Sequence, residues 1–280
     1  VINKKLWRLT FQPLFFISIL KDLFMRKYLF LIFLLFFFLQ STMAKDTIKV
    51  RVTNWPPNYY KTEKGTWTGV DVELAKALIE KAGYKVEFIE LPWSRALISI
   101  KLGEIDMMMN LSITDERSEF LHWLGPVRYD SRNLVVKKEN KELPIKSFDD
   151  MILISKEKKI NFGYQNDVYY GDKFKERMEN DAAFRDIFES VTKSDFNLQK
   201  TKHGRILGFF ESSTSLQYLL KNDPGYKDLA LHPYEIYKDI LFFGFSKKSI
   251  DAEILTKLYD AYEKLLLDGT IEKIRKKSKP

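Results

Sequence analysis

The 280-residue sequence has no cysteine and only three histidines, and these shortages exclude several kinds of chemistry. A chain without cysteine has no disulfide, no thiolate metal site, no cysteine nucleophile and no N-terminal cysteine for lipid attachment. The histidines, His122, His203 and His232, are far apart in the sequence and lack the spacing of metal ligands. Glycine-rich phosphate loops, G-x-S-x-G and H-E-x-x-H are absent too. We therefore expect no metal site and no bound cofactor.

Long apolar runs are also missing, except at residues 28–39, where twelve apolar residues stand together. The run follows the basic Met25-Arg26-Lys27 and precedes Thr42-Met43-Ala44, which has the small residues of a cleavage site. Twelve residues rise about 18 Å as a helix, short of the roughly 30 Å hydrocarbon core of a bilayer. The pattern predicts that residues 1–44 are a signal peptide with an upstream extension, because Met25 opens a complete leader by itself. An uncleaved anchor is the alternative.

The formal net charge of +8 depends strongly on this leader. Residues 1–44 hold six basic residues and one acidic residue, so residues 45–280 retain 40 basic and 37 acidic residues, a net charge of +3. So small an excess does not favour a nucleic acid or an anionic membrane as the partner. An exported chain without cysteine suits the bacterial periplasm, where we expect this protein, without a lipid anchor.

Two sets of alternating strands and amphipathic helices follow the leader. In the first set the predicted strands are 47–53, 84–91 and 105–109, and the predicted helices are 70–82 and 94–102. In the second set the strands are 160–164, 187–192 and 206–210, and the helices are 171–180, 196–203 and 213–220. A strand at 240–246 and a helix at 250–267 come last. The β-α-β-α-β order predicts parallel sheets with covered faces, and hence an α/β fold of two lobes.

One pattern recurs in both sets. Gly103 and Gly204 each end a predicted helix, and an apolar strand follows each glycine. Asn110 and Glu211 each stand seven positions after their glycine, at the end of the strand. Because ligands bind outside the carboxyl ends of strands in open parallel sheets, both side chains could face one crevice. The pattern is also what any repeated α/β unit produces, so the two interpretations stay open.

Aromatic residues follow the first two strands. Trp55 and Tyr59 come after the first strand and Trp93 after the second, so all three could reach the crevice at the strand ends. Aromatic faces there suit an apolar or a cationic ligand. Packing between the lobes is the alternative role.

A short polar segment follows the third strand. Thr114 has the character of an N-cap residue, which places Arg117 in the first turn of the next helix. Free N–H groups at a helix start favour an anion, and an arginine fork matches a carboxylate with two hydrogen bonds. A surface salt bridge with Glu119 or Asp115 is an equally open alternative.

Four motifs together carry a resemblance to a known family. They are Gly69-Val-Asp71-Val-Glu73-Leu74, Gly103-Glu-Ile105-Asp106, Ser112-Ile-Thr114-x-x-Arg117 and Asp268-Gly269-Thr270-Ile-Glu-Lys. Over residues 46–277 the chain resembles the family 3 extracellular solute-binding proteins, the polar amino-acid-binding components of bacterial ABC importers. The resemblance implies a two-lobed flytrap fold with two crossover strands, near 135–136 and 242–245. We expect residues 45–136 and 243–280 to form lobe one and residues 137–242 to form lobe two.

The resemblance also implies the roles of individual side chains. Arg117 would clamp the α-carboxylate of the ligand, Glu211 would receive its amino group, and Trp55 would stack on its side chain. The expected ligand-binding residues are Trp55, Tyr59, Trp93, Asn110, Ser112, Thr114, Arg117, Gln165 and Glu211.

Three departures from the family pattern bear on the ligand. Glu211 stands where aspartate is usual, Tyr164-Gln165-Asn166-Asp167 replaces a Gly-Thr pair, and Pro92-Trp93-Ser94-Arg95 adds an aromatic side chain and a second potential anion clamp. A carboxylated solute remains the favoured ligand, and its identity stays open.

The function expected from these observations is capture of a small carboxylated, amino-acid-like solute by a monomer that delivers it to an ABC permease. We expect no enzymatic activity. Two alternatives remain open: a cyclohexadienyl dehydratase-like enzyme that uses Glu211 as a proton donor, and a sensor that presents its closed form to a receptor.

Overall fold

The computed structural model describes residues 25, 27 and 28 and residues 45–277. The predicted signal peptide therefore lies almost entirely outside the described residues. Within the described part of the chain, no helix combines the length and the apolar character needed to span a bilayer.

The described elements alternate between strands and helices, as predicted. In chain order the strands are β1 (Thr47–Val52), β2 (Tyr60–Lys61), β3 (Trp67–Thr68), β4 (Lys85–Glu90), β5 (Met107–Leu111), β6 (Leu121–Lys137), β7 (Phe162–Gln165), β8 (Phe188–Val191), β9 (Gly208–Ser212) and β10 (Leu229–Ser246). The helices are α1 (Val70–Lys81), α2 (Trp93–Leu102), α3 (Asp115–Ser118), α4 (Phe148–Lys158), α5 (Asp172–Asn180), α6 (Ala182–Arg185), α7 (Ser194–Lys202), α8 (Ser213–Asn222), α9 (Ala252–Leu267) and α10 (Thr270–Lys277). The α/β prediction is confirmed.

The strands join in the order β4-β1-β5-β10-β6-β9-β7-β8. β1 pairs in parallel with β4 and β5, and β7 pairs in parallel with β8 and β9, which confirms the two predicted parallel units. We call the part that contains β1, β4 and β5 the first lobe, and the part that contains β7, β8 and β9 the second lobe.

The strands β6 and β10 connect the two lobes. They pair antiparallel along most of their length, from Leu229 opposite Lys137 to Ser246 opposite Leu121, with register shifts in between. The sequence predicted only residues 240–246 of β10 as a strand, because charged residues and Pro233 interrupt the apolar pattern before it. These are the two crossover strands of the flytrap fold.

Each lobe has its own buried apolar residues. In the first lobe Ile48 and Val50 of β1 pack in one cluster with Leu74 and Leu78 of α1 and Leu258 of α9. In the second lobe the cluster includes Phe162, Phe174, Phe184 and Phe210, and it extends to Leu134 and Val136 of β6. The ring of Phe174 contacts those of Phe184 and Phe210. The lobe limits at 136/137 and 242/243 stay predictions.

One glycine fixes the path of the chain before α1. Gly69 has a φ of 119°, and a Cβ at this position would lie 2.4 Å from the carbonyl oxygen of Asn58. A residue without a side chain is therefore required where this turn approaches the helix start. The turn places Asp71 in the first turn of α1, where it is fully buried.

The third strand of each lobe begins two residues later than predicted. β5 begins at Met107 rather than residue 105, and β9 begins at Gly208 rather than residue 206. Both strands also end later than predicted, at Leu111 and Ser212. Asn110 and Glu211 therefore lie within their strands, one residue before the end, and not after them. Both side chains are buried.

Candidate functional site

A cavity of about 750 Å³ lies between the two lobes. Its walls include the ends of β1, β5 and β9, the starts of α2 and α7, and parts of β6 and β10. Eight of the nine predicted ligand-binding residues line it: Trp55, Tyr59, Trp93, Asn110, Ser112, Arg117, Gln165 and Glu211. Their contact with a ligand stays a prediction.

Thr114 is the exception. It is not among the residues that line the cavity, and its hydroxyl oxygen instead accepts a hydrogen bond of 3.2 Å from the backbone N–H of Arg117. Thr114 is thus the N-cap of α3, as the sequence predicted. It orients the turn that carries Arg117.

Arg117 is buried in the wall of the first lobe. Its Nη1 donates to the carbonyl oxygen of Ser112 at 3.2 Å, and its Nη2 donates to the carbonyl oxygen of Asp167 in the second lobe at 3.2 Å. Among residues 45–277 no carboxylate forms an ion pair with Arg117, so the surface salt bridge considered above is not formed. Burial lowers the pKa of Arg117, which is the electrostatic cost of a charge without an acidic partner.

The backbone carbonyl of Asp167 is held by two donors of the first lobe. Trp93 Nε1 donates to it at 2.7 Å, beside the bond from Arg117. Asp167 has a φ of 62°, in the left-handed region. Asp167 belongs to the segment that replaces the family's Gly-Thr pair. Through its carbonyl, this segment of the second lobe contacts Arg117, the side chain expected to hold a carboxylate.

Glu211 accepts four hydrogen bonds in the opposite wall. Its Oε1 accepts from Trp55 Nε1 and Arg132 Nη1, each at 3.2 Å, and from the backbone N–H of Ser212 at 2.8 Å. Its Oε2 accepts from Ser194 Oγ at 2.8 Å. The negative charge expected to face a ligand amino group is thus paired within the protein, by Arg132.

Arg132 and Ser194 also line the cavity, although neither was predicted from the sequence. Arg132 lies on β6, beside Asn133, which is the partner of Glu211 in the β6–β9 ladder. Although burial lowers the pKa of Arg132, Asp130 and Glu211 raise it on balance. The pairing depends on long-range strand register, which has no local signal in the sequence.

Trp55 is packed between cationic groups. The guanidinium carbons of Arg128 and Arg132 lie 5.7 Å and 5.5 Å from its ring centre, and the ring of Tyr59 lies 5.4 Å away. Contacts of this kind are attractive because the ring face is electron-rich. Trp55 therefore also holds the arginines of the crossover strand in place.

Asn110 is held by a buried polar network under the cavity. Its Nδ2 donates to Asp71 at 2.6 Å, and its Oδ1 accepts from Arg128 Nε at 3.1 Å. Burial raises the pKa of Asp71, whose Oδ1 lies 3.6 Å from Arg128 Nε. The acidic residue of the Gly69-Val-Asp71 motif thus stabilises the floor of the site.

A second arginine of the first lobe, Arg51, also lines the cavity and was not predicted. The sequence placed it on the polar face of an alternating strand, but only 3% of its surface is exposed. Arg95, the predicted second clamp, is exposed and is not among the lining residues. The first-lobe arginine that lines the cavity beside Arg117 therefore comes from β1 and not from α2.

Tyrosines form much of the remaining wall. Tyr237 donates to Asp239, and its Oη lies 3.4 Å from Ser112 Oγ. Its ring centre lies 5.1 Å from that of Tyr169. Burial and the hydrogen bond to Asp172 raise the pKa of Tyr169 to about 12. Neutral phenols therefore face the cavity on this side, beside the carboxylate of Asp239.

Metal chemistry finds no support in the described part of the chain. Within residues 25, 27, 28 and 45–277, no three acidic or histidine side chains converge in a way that could hold an ion.

A cavity between two α/β lobes joined by two long strands defines the class of two-lobed, periplasmic-binding-protein folds. The chain matches the family described as bacterial extracellular solute-binding proteins, family 3, over residues 47–278, and it belongs to that family. The resemblance found in the motifs is therefore confirmed.

Known relatives and solved structures agree with this assignment. The probable amino-acid-binding protein YxeM of Bacillus subtilis is 28% identical over 223 residues, which cover 79% of each chain. An ancestral arginine-binding protein solved with arginine is 26% identical, with a TM-score of 0.67 over 84% of this chain and 99% of that one. The ancestral amino acid-binding protein AncCDT-1, a precursor of cyclohexadienyl dehydratase, is 24% identical, with a TM-score of 0.66 over 83% and 95%. That last likeness shows the fold alone.

Proposed function

We propose that this protein captures a small carboxylated, amino-acid-like solute between its lobes and delivers it to the permease of an ABC importer. The observation that carries the proposal is Arg117, a buried guanidinium in the wall of an interlobe cavity, which has no acidic partner among the described residues. A buried charge is costly unless it is paired, and a planar carboxylate matches the arginine fork. The amino-acid-binding relative and the arginine-bound neighbour support a solute of this class.

Contacts between the lobes explain how binding is coupled to closure. Trp55 donates to Glu211, Ser215 Oγ donates to the carbonyl of Pro56 at 2.6 Å, and Arg117 donates to Asp167. A solute that touches both walls adds to these contacts only when the lobes are together. Binding therefore shifts the population toward the closed form, which a permease can distinguish from the open form.

The test is Arg117→Gln, assayed by calorimetry against a panel of amino acids and small organic acids. We expect the solute that binds the wild-type protein to lose at least about 100-fold in affinity, since one partner of a buried charge pair is removed. The matched control is Arg95→Gln, which removes an exposed positive charge of the same lobe. Unchanged affinity in Arg117→Gln, with normal affinity in the control, would place the carboxylate elsewhere.

We also infer that the protein is not an enzyme. The alternative needs Glu211 to give a proton to a bound substrate, but four donors converge on its two oxygens. That arrangement supports an acceptor and not a proton donor. Incubation with prephenate or arogenate, followed by ultraviolet absorbance, should give no product, and turnover that is lost in Glu211→Gln would refute this inference.

Location and assembly complete the proposal. The family is extracellular, and the leader-like residues 1–44 support export to the periplasm with cleavage before Lys45 and without a lipid anchor. We expect a monomer. Mass spectrometry of the exported protein and light scattering test these two points. A sensor role, in place of import, would be indicated if deletion of the cognate permease left the response to the solute intact.

A further inference from the structure

We propose that the cavity holds a second anion-binding position, built on Arg51, and that the solute carries two acidic groups. The inference rests on the proposed function, because it assigns Arg117 to the first acidic group. It goes beyond that function by assigning the charge of the ligand, which is a solute with two acidic groups.

The guanidinium of Arg51 is fixed in place at the cavity wall. Its Nε donates to the carbonyl of Leu91 at 2.9 Å, and its Nη1 donates to Tyr59 Oη at 3.1 Å. Within the described ranges, Nη2 has no hydrogen-bond partner and no carboxylate pairs with Arg51. A rigid, buried cation with donor capacity left over is suited to an anion that comes from outside the protein.

Trp93 places the two arginines close together. The guanidinium carbon of Arg51 lies 5.4 Å from its ring centre, and that of Arg117 lies 5.6 Å from it. The two carbons are therefore no more than about 11 Å apart, the two distances added end to end. A small solute with acidic groups a few bonds apart can reach both.

The other buried charges near the cavity pair with one another. Arg128 lies 3.6 Å from both Asp71 and Asp130, and Arg132 lies 3.2 Å from Glu211. Among the described residues, none of these three acids forms an ion pair with Arg51 or Arg117.

Among the described residues, the remaining lining acids form no ion pair with Arg51 either. Glu90 pairs with Lys61 at 2.6 Å, Asp239 accepts from Tyr237, and Asp195 and Asp223 are exposed to solvent. Lys193 also lines the cavity but is exposed to solvent. Among the described lining residues, the buried cations without an acidic partner are thus Arg51 and Arg117, which match two acidic groups better than one.

A purely structural role for Arg51 makes a different prediction. As a brace between β1, Leu91 and Tyr59, it would affect stability and the affinity of every solute alike. As an anion site, it sets the ratio between solutes that differ only in the second acidic group. The ratio is therefore the quantity to measure.

The experiment uses three solute pairs of nearly equal shape: L-glutamate with L-glutamine, L-aspartate with L-asparagine, and glutarate with glutaramate. Calorimetry should show that the acidic member of at least one pair binds wild-type protein about tenfold tighter or more, as a hydrogen bond to a charged group provides. In Arg51→Gln the ratio should fall to about one. Arg51→Lys should keep a preference for the acidic member, and the control Arg95→Gln should keep the wild-type ratio.

The outcomes separate this inference from the proposed function. Wild-type protein that binds neutral members as tightly as acidic ones overturns the second position and leaves capture of a carboxylated solute intact. A ratio that persists in folded Arg51→Gln overturns it as well. If circular dichroism shows that Arg51→Gln is unfolded, two measurements decide the question. A preference for the acidic member in both wild-type protein and Arg51→Lys supports the second position, and its absence from either overturns it. No binding by any probe overturns both proposals.

Discussion

Arg51 and Arg117, in the first-lobe wall of the cavity, are buried and have no acidic partner in the part of the chain that the structure describes. Glu211, in the second-lobe wall, instead accepts hydrogen bonds from four donors of the protein. The first wall has charge available for a solute, and the second has its charge neutralised by Arg132. Substitutions in the first wall should therefore change affinity, and substitutions in the second should change stability. A charged side chain that lines a cavity is therefore available to a ligand only if the protein has not already paired it.

The largest effect on stability is expected for Arg132→Met. It leaves the Glu211 carboxylate buried without its cation, so the free energy of unfolding should fall by about 3 kcal/mol. Urea denaturation measures the loss. The control Arg205→Met removes an exposed charge of the same lobe and should change stability by less than about 0.5 kcal/mol. Equal stabilities of the two variants would show that the Glu211 pair contributes nothing.

A smaller effect is expected for Trp93→Phe, which keeps an aromatic ring but removes the donor to the Asp167 carbonyl. Losing one hydrogen bond between the lobes should weaken solute binding about fivefold, the equivalent of about 1 kcal/mol. Calorimetry measures the affinity. Trp123→Phe is the matched control, because Trp123 Nε1 donates to Ser118 Oγ within the first lobe. If both variants bind alike, the bond between lobes has no part in closure.

The smallest effect concerns the tyrosine wall at high pH. The pKa of Tyr169 is raised to about 12, above its ordinary value of 10.0, so the unfolded chain loses this proton first as pH rises. Its contribution to stability is therefore complete below about pH 10 and decreases between about pH 10 and 12. Tyr169→Phe should reduce the fall in unfolding free energy over that window. An unchanged pH profile would contradict the assignment.

Much of the fold could be predicted because its signals are local. The alternation of β1, the helical spacing of α9 and the position of Thr114 before α3 each depend on a few neighbouring residues. The long strands β6 and β10 could not be predicted in full, because charged residues and Pro233 interrupt the local pattern of β10. Pairing with a strand that is distant in the sequence holds these residues in the sheet. Helix α4 was not predicted, because its sequence lacks a strong apolar face, although Ser147 caps its start.

The candidate site shows the same division. The sequence by itself determined the family, the placement of Arg117 in a capped turn, and the aromatic residues at the strand ends. The tertiary structure alone decided that Arg51 is buried and that Arg132 neutralises Glu211. The physical reason is that burial and ion pairing depend on which strands lie side by side. The sequence states which residues are charged. Whether an opposite charge lies beside each of them depends on residues that only folding brings near.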